Sequence, residues 1–233
     1  MNEPAERVDL DEWQTLHNRV IACRRCPRLV EWRERAAHEK RRAFQDWLYW
    51  GKPVPGYGDH QAGLLVVGLA PAAHGANRTG RVFTGDGSAN FLVSALNRAG
   101  FATQPTSTRR DDGLQYRDAY VTAIVRCAPP ANRPTPQETL NCRPYLAREI
   151  ELLPSVKVVL ALGHVALDGY VRLLRDAGWA VPRIRPVHGG VYPLGAGLPS
   201  VVFSYHPSQQ NTLTGRLTPA MLDATLHTVR DLL

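Results

Sequence analysis

Four cysteines are the residues whose type and spacing most directly imply chemistry. Cys23 and Cys26 form a CxxC immediately before Pro27, and Cys127 and Cys142 follow far down the chain with fourteen residues between them. Thiolates are soft ligands, so four of them suit either structural zinc or a [4Fe-4S] cluster, and spacing does not choose between the two. The plainer reading is four buried free thiols, since cysteine is among the most often buried residue types. Against it stand the CxxC itself and the setting of Cys127, between Arg126 and an Ala128-Pro129-Pro130 turn rather than inside an apolar strand. A shared ligand set would tie the amino-terminal segment onto the rest of the fold.

A second concentration of chemistry lies in the segment from Ala70 to Asp86. Small residues after an apolar strand, here Ala70, Pro71, Ala72 and Gly75 around His74, let backbone N–H groups approach a ligand closely. Arg78 and Arg81 add positive charge, Phe83 a flat face for a base, and Asp86 a carboxylate just ahead of a helix. The segment is not a phosphate-binding P-loop, because no GK[ST] follows its glycines, and GxGxxG is absent too. Each residue also has a bland reading: Phe83 as core, His74 as a satisfied loop histidine, Asp86 as a helix cap. A third concentration runs from His206 through Ser208, Gln209, Gln210 and Asn211 to Arg216. A histidine at a strand tip can donate a hydrogen bond to an oxygen gaining negative charge. The polar loop behind it, carrying Leu213, suits phosphate contact and insertion into a base stack, or else is a plain turn before a helix capped by Thr218.

The elements that must position these residues follow from the apolar pattern. Leu64–Leu69, Tyr120–Val125, Val156–Leu162 and Val201–Tyr205 read as strands buried on both faces. Helical periodicity runs through Ser88–Ala99, Pro136–Leu152, His164–Ala177 and Pro219–Leu232, with earlier patches at Leu10–Ala22 and Arg28–Phe44. Gly163 and the Thr218-Pro219 pair supply helix-start chemistry. This alternation predicts an α/β fold of three layers, α/β/α, around a parallel sheet, in which ligands gather at the carboxyl ends of the strands. The stretch Thr103–Gly113 reads as an exposed loop.

Composition bounds the rest. With 233 residues, 44% of them hydrophobic, the chain can bury one sizeable core, so a single domain over residues 1–233 is expected. Twenty-eight Lys and Arg against 21 Asp and Glu give a formal charge of +7, which favours an anionic partner such as nucleic acid. The polar start lacks the basic and apolar regions of a secretory signal, and no apolar run is long enough to span a bilayer. A cytoplasmic monomer is expected, and in a reducing compartment cysteines serve metal or redox chemistry before disulfides.

Together, GLAPAAHGANRTGRVFTGD, the CxxC, VRCAPPANRPTPQE and HPSQQNTLTGRLT resemble the family 5, or type B, uracil-DNA glycosylases, from about Cys23 to Arg216 with matching order and spacing. The resemblance implies a uracil-DNA glycosylase fold with a four-stranded parallel sheet between helices. It also implies a [4Fe-4S] cluster, structural rather than redox-catalytic, held by Cys23, Cys26, Cys127 and Cys142. The implied substrates are uracil and hypoxanthine, with some oxidised or etheno-modified pyrimidines, in double-stranded DNA and also in single strands. Other branches of that superfamily place an acidic or amide side chain where Gly68-Leu69-Ala70 offers only a methyl group, so Asp86 is the candidate replacement. The uracil-reading asparagine of relatives corresponds to Ala123, which implies a looser pocket.

The expected mechanism is base flipping followed by hydrolysis of the N-glycosidic bond. Arg78, Arg81, Arg216 and the Lys40-Arg41-Arg42 cluster would hold phosphates, and Phe83 would stack on the extruded base. Ala70, Pro71, Ala72, His74 and Gly75 would form the pocket wall. His206 would stabilise the departing base, Asp86 would orient water and offset the sugar cation, and Asn132 would hold the water or the base edge. Two other readings use the same residues: a metal-stabilised nucleic-acid-binding module without catalysis, and a thiol hydrolase using Cys127 with His206. The second is poor because Cys127 is better placed as a ligand.

Overall fold

The computed structural model describes residues 10–195 and 197–233. In chain order the elements are α1 (Leu10–Ile21), α2 (Pro27–Glu39), β1 (Tyr57–Gly58), β2 (Leu64–Gly68), α3 (Ala76–Thr79), α4 (Gly87–Arg98), β3 (Ala119–Ala123) and α5 (Pro136–Glu151). They continue with β4 (Val158–Leu162), α6 (His164–Asp176), β5 (Val191–Tyr192), β6 (Ser200–Ser204), α7 (Gln209–Leu213) and α8 (Pro219–Asp231). Single turns of 3-10 helix occur at Arg42–Phe44 and Pro130–Asn132.

The sheet has the order β1-β3-β2-β4-β6-β5. Its four central strands are parallel, as the long buried runs require, while the two-residue strands β1 and β5 pair antiparallel at the edges. The expected four-stranded parallel sheet is therefore the centre of a mixed sheet of six. Both edge strands escape a sequence reading because two residues carry no period; they exist only through pairing with β3 and β6.

Alternation along the strands divides the core. Leu65 and Val67 of β2, with Val159 and Ala161 of β4, pack against Leu16 and Val20 of α1, Leu146 of α5 and Leu167 and Tyr170 of α6. Leu64, Val66, Val158 and Leu160 point the other way, onto Leu92 and Leu96 of α4 and Leu222 and Leu226 of α8. Three layers result, as expected. No helix among the described residues is long and apolar enough to cross a membrane.

Two local devices matter for what the strands deliver. Helix α5 opens with a capping box, Thr135 and Glu138 each satisfying the other's backbone N–H. Arg28, two residues past Cys26, donates to both carboxylate oxygens of that Glu138 at 2.8 and 2.6 Å. The start of α2 is thereby pinned to the start of α5. At the end of β4, Gly163 adopts φ +89°, a left-handed conformation that glycine tolerates and branched residues do not. A Cβ there would also stand 3.2 Å from the Cβ of His206, so the turn and the histidine share that space.

Candidate active site

The site is built where the loops after β2 and β6 meet. Gly68 ends β2, and the ring of Phe83 lies across it so closely that a Cβ on Gly68 would be 2.7 Å from the ring. Phe83 has φ +45°, an uncommon conformation for a bulky residue, held because the surrounding loop over-determines it. Its ring centroid is 6.1 Å from that of His206, tilted by 34°. Ala123, at the end of β3, pairs with Gly68 and supplies no polar atom beside the ring.

Asp86 is the N-cap of α4, accepting the N–H of Ala89 at 2.9 Å. The capping role is thus real, but the carboxylate also lies against Gly75, where a Cβ would be 2.8 Å from its Cγ. Burial raises the pKa of Asp86, while backbone N–H groups and Arg78 pull the other way. The loop after β6 completes the arrangement: Gln209 packs over Gly87, with 3.1 Å between its amide nitrogen and a Cβ there. Asn211 donates to the His206 carbonyl at 2.8 Å, and Ser208 caps α7 by accepting the Asn211 N–H. Burial lowers the pKa of His206 to about 4, so the ring is neutral at pH 7.

Not every expected residue joins this group. Arg78 and Arg81 are buried, and their assignment to DNA phosphates is corrected. Arg78 donates to the carbonyls of His74 (2.8 Å) and Gly85 (2.6 Å), with its guanidinium 3.9 Å from the ring centres of both Phe44 and Trp47. Arg81 bonds Thr84, Ser107 and the backbone of Arg110, and pairs with Asp112 at 2.7 Å. A phosphate contact needs an exposed guanidinium; these two instead shape the loop that carries Phe83 and Asp86. The stretch expected as a plain exposed loop, Thr103–Gly113, therefore has a buried inner side formed by Ser107 and part of Asp112.

Within the wall, Gly75 spends its N–H on the Ala72 carbonyl, and His74 bonds the Tyr49 hydroxyl through Nδ1 at 3.1 Å. Ala70 and Ala72 are partly exposed beside the buried Pro71. Asn132 is exposed on the 3-10 turn with φ +56°, and none of its hydrogen bonds ties it to Asp86 or His206. Arg216 is exposed beyond α7, its guanidinium 4.7 Å from the centre of the Tyr205 ring, and Gln209 and Gln210 are exposed beside it.

The four cysteines, brought from three segments, line one pocket together with Leu29, Val30, Pro53, Arg33 and Arg126. Arg33 is buried and donates to Cys127 Sγ at 3.0 Å, and Asn141 donates to Cys26 Sγ at 3.4 Å. Burial pushes the Cys127 thiol up to about 12 and Cys142 up to about 11. Among the described residues no three His, Cys, Asp or Glu side chains are grouped to hold a metal ion, so the thiols stand around a shared space rather than in a closed shell. Next to them, Arg126 bonds Glu149 at 2.6 Å with both side chains fully buried, and Glu149 also accepts from Thr122 at 2.6 Å. That pair fastens the strand end bearing Cys127 to the helix bearing Cys142. Neither Arg33 nor Glu149 carries a sequence signal, because both depend on contacts across the fold.

Phe83 and His206 thus lie side by side at the ends of parallel strands, and Asp86 caps the helix that follows Phe83. Residues 55–230 fit the model of the Uracil DNA glycosylase superfamily. The chain belongs to that superfamily. Similar proteins include the Type-5 uracil-DNA glycosylase of Mycobacterium leprae, 53% identical over 89% of this chain and 90% of its own length. That of Mycobacterium bovis is 53% identical over 88% of this chain and 75% of its own, and that of Thermus thermophilus 50% over 87% and 90%. Such coverage places the chain in the type-5 uracil-DNA glycosylase family, as its motifs led one to expect.

Proposed function

We propose that this chain excises uracil from DNA by flipping the nucleotide out of the helix and hydrolysing its N-glycosidic bond. The observation that carries the reading is Phe83 beside His206 at the ends of β2 and β6, with Asp86 capping the helix after Phe83 and Gln209 of the loop after β6 packed over that helix's first residue, Gly87. Extrusion costs a few kcal/mol, least for a mispaired base. Phe83 offers its ring to the extruded base, and the neutral imidazole of His206 keeps one N–H that can donate a hydrogen bond to the departing base. As the bond to C1′ breaks, its electron pair leaves with the base, and the sugar becomes cationic. Asp86, aligned by Ala89, offsets that cation and orients a water, whose oxygen adds to C1′ and one of whose protons ends on the departing base anion. The product is an abasic site and free base.

With alanines at positions 70 and 123, no amide or carboxylate on these strand ends selects uracil. Hypoxanthine and etheno-cytosine belong to the same proposal on that ground. DNA is held through Ser208, Gln210 and Arg216 of the loop after β6, and Leu213, 83% exposed, is placed to fill the gap left by the flipped base.

Cys23, Cys26, Cys127 and Cys142 fit a [4Fe-4S] cluster: four thiols around a common pocket, with a buried guanidinium donating to one sulfur. Such a group would cross-link α2, the end of β3 and α5, and no step of bond cleavage is assigned to it.

The test is a panel of duplex oligonucleotides carrying uracil, hypoxanthine or etheno-cytosine, treated with alkali after incubation. Strand scission at the uracil is expected. Retention of the duplex without scission would instead favour a non-catalytic nucleic-acid-binding module.

A further inference from the structure

The loop that carries Phe83 and Asp86 is covered by a segment that the excision chemistry does not use. After α2 the chain turns through residues 40–52 and lies directly on the loop after β2: Trp50 N–H bonds the Arg78 carbonyl at 2.9 Å, and Gly51 N–H the Asn77 carbonyl at 3.0 Å. At its crest Leu48 is 94% exposed. Arg109 stacks on Trp47 at 4.6 Å and Arg110 on Trp50 at 4.7 Å, both arginines being exposed. Arg42 and Lys52 are exposed alongside, so the surface is cationic despite Asp46 and Asp111.

A single exposed leucine is ordinary. This one repeats a combination found in the loop after β6, where exposed Leu213 lies three residues before Arg216, whose guanidinium stacks on Tyr205. Each group is anchored to a reacting-site segment. Tyr205 precedes His206; Trp47 stacks on Arg78, which grips the Gly85 carbonyl next to Asp86. An apolar tip flanked by guanidiniums on aromatic rings is the chemistry that holds an unstacked base and its phosphates.

We propose that the Trp47–Lys52 turn with Arg109 and Arg110 is a second DNA-contact surface, which binds the strand on the Asp86 side of the site as Leu213 and Arg216 bind it on the His206 side. The inference rests on the chain acting on DNA, and it adds that the enzyme grips the duplex at two separated points.

Binding of the intact protein to a uracil duplex, followed by anisotropy across a salt series, tests it alongside single-turnover excision at saturating DNA. Arg109→Ser combined with Arg110→Ser is expected to weaken binding and to make log K against log salt shallower by about 1 per arginine, leaving the saturated excision rate unchanged. Leu48→Ser is expected to reduce the fluorescence rise of 2-aminopurine placed beside the uracil. Wild-type affinity and slope in the double variant would overturn the second surface while leaving excision standing. Loss of binding by the variant, in a protein whose wild type binds but excises nothing, would uphold the surface and remove the proposed activity. A wild type that binds no DNA would overturn both.

Discussion

The carboxylate of Asp86 occupies the space that a side chain on Gly75 would need: a Cβ at Gly75 would stand 2.8 Å from Asp86 Cγ. Gly75→Ala is therefore expected to displace the carboxylate. A shift of about 1 Å can slow a positioned reaction about 100-fold, and single-turnover excision measures it. A wild-type rate in a folded variant would show that Asp86 needs no such placement.

Asp86 both caps α4 and serves the reaction, and two substitutions separate the roles. Asparagine caps a helix about as well as aspartate, so Asp86→Asn should keep the melting temperature and lose most of the excision rate. Asp86→Ala should lose the rate together with about 1 kcal/mol of stability. Equal rates in wild type and Asp86→Asn would remove the charge from the mechanism.

The pH dependence follows from the same burial. The pKa of Asp86 is raised, so the single-turnover rate should fall with acid at a higher pH than an ordinary aspartate would give, as the carboxylate takes up a proton. Stability should depend on His206 as well: its pKa drops from the ordinary 6.5 to about 4 on folding. The unfolded chain then holds more protons between those values, so this stabilisation is complete above about pH 6.5 and is lost as pH falls toward 4. His206→Gln should flatten that part of the stability curve in denaturant titrations, and should slow excision as well.

Arg81 and Arg216 should separate under mutation although both looked like phosphate ligands. Arg81→Ala leaves Asp112 without its partner in a nearly closed setting, which typically costs about 3–5 kcal/mol for a buried pair, less here because Asp112 is 10% exposed. Arg216→Ala should barely change the melting temperature but weaken DNA binding and its salt dependence. A salt slope unchanged by Arg216→Ala would exclude it from the interface.

The cysteine pocket makes a spectroscopic prediction. Protein purified without oxygen should be brown and contain iron and acid-labile sulfide in equal amounts, whereas zinc would leave it colourless. Cys142→Ser should lower the iron content and the melting temperature together, because α5 would lose its link to α2 and the end of β3. Colourless protein with full stability would mean that the thiols act as ordinary core.

The sequence by itself determined the layers and the carriers of chemistry. Runs such as Val158–Leu162 are apolar on both faces, which only a sheet covered on each side can satisfy, and strand-tip residues such as His206 follow directly from where those runs stop. The CxxC and the strand-end motifs were likewise local patterns. Tertiary structure alone decided which arginines meet solvent: Arg81 and Arg216 look alike in sequence, yet one faces Asp112 from a distant loop and the other faces water. It also decided the edge strands β1 and β5, the clasp of Arg126 on Glu149, and the seat of Asp86 on Gly75. Each of these depends on a partner that is not an adjacent residue in the chain, and the energy of a buried charge or a close contact is set by that partner rather than by its neighbours in sequence.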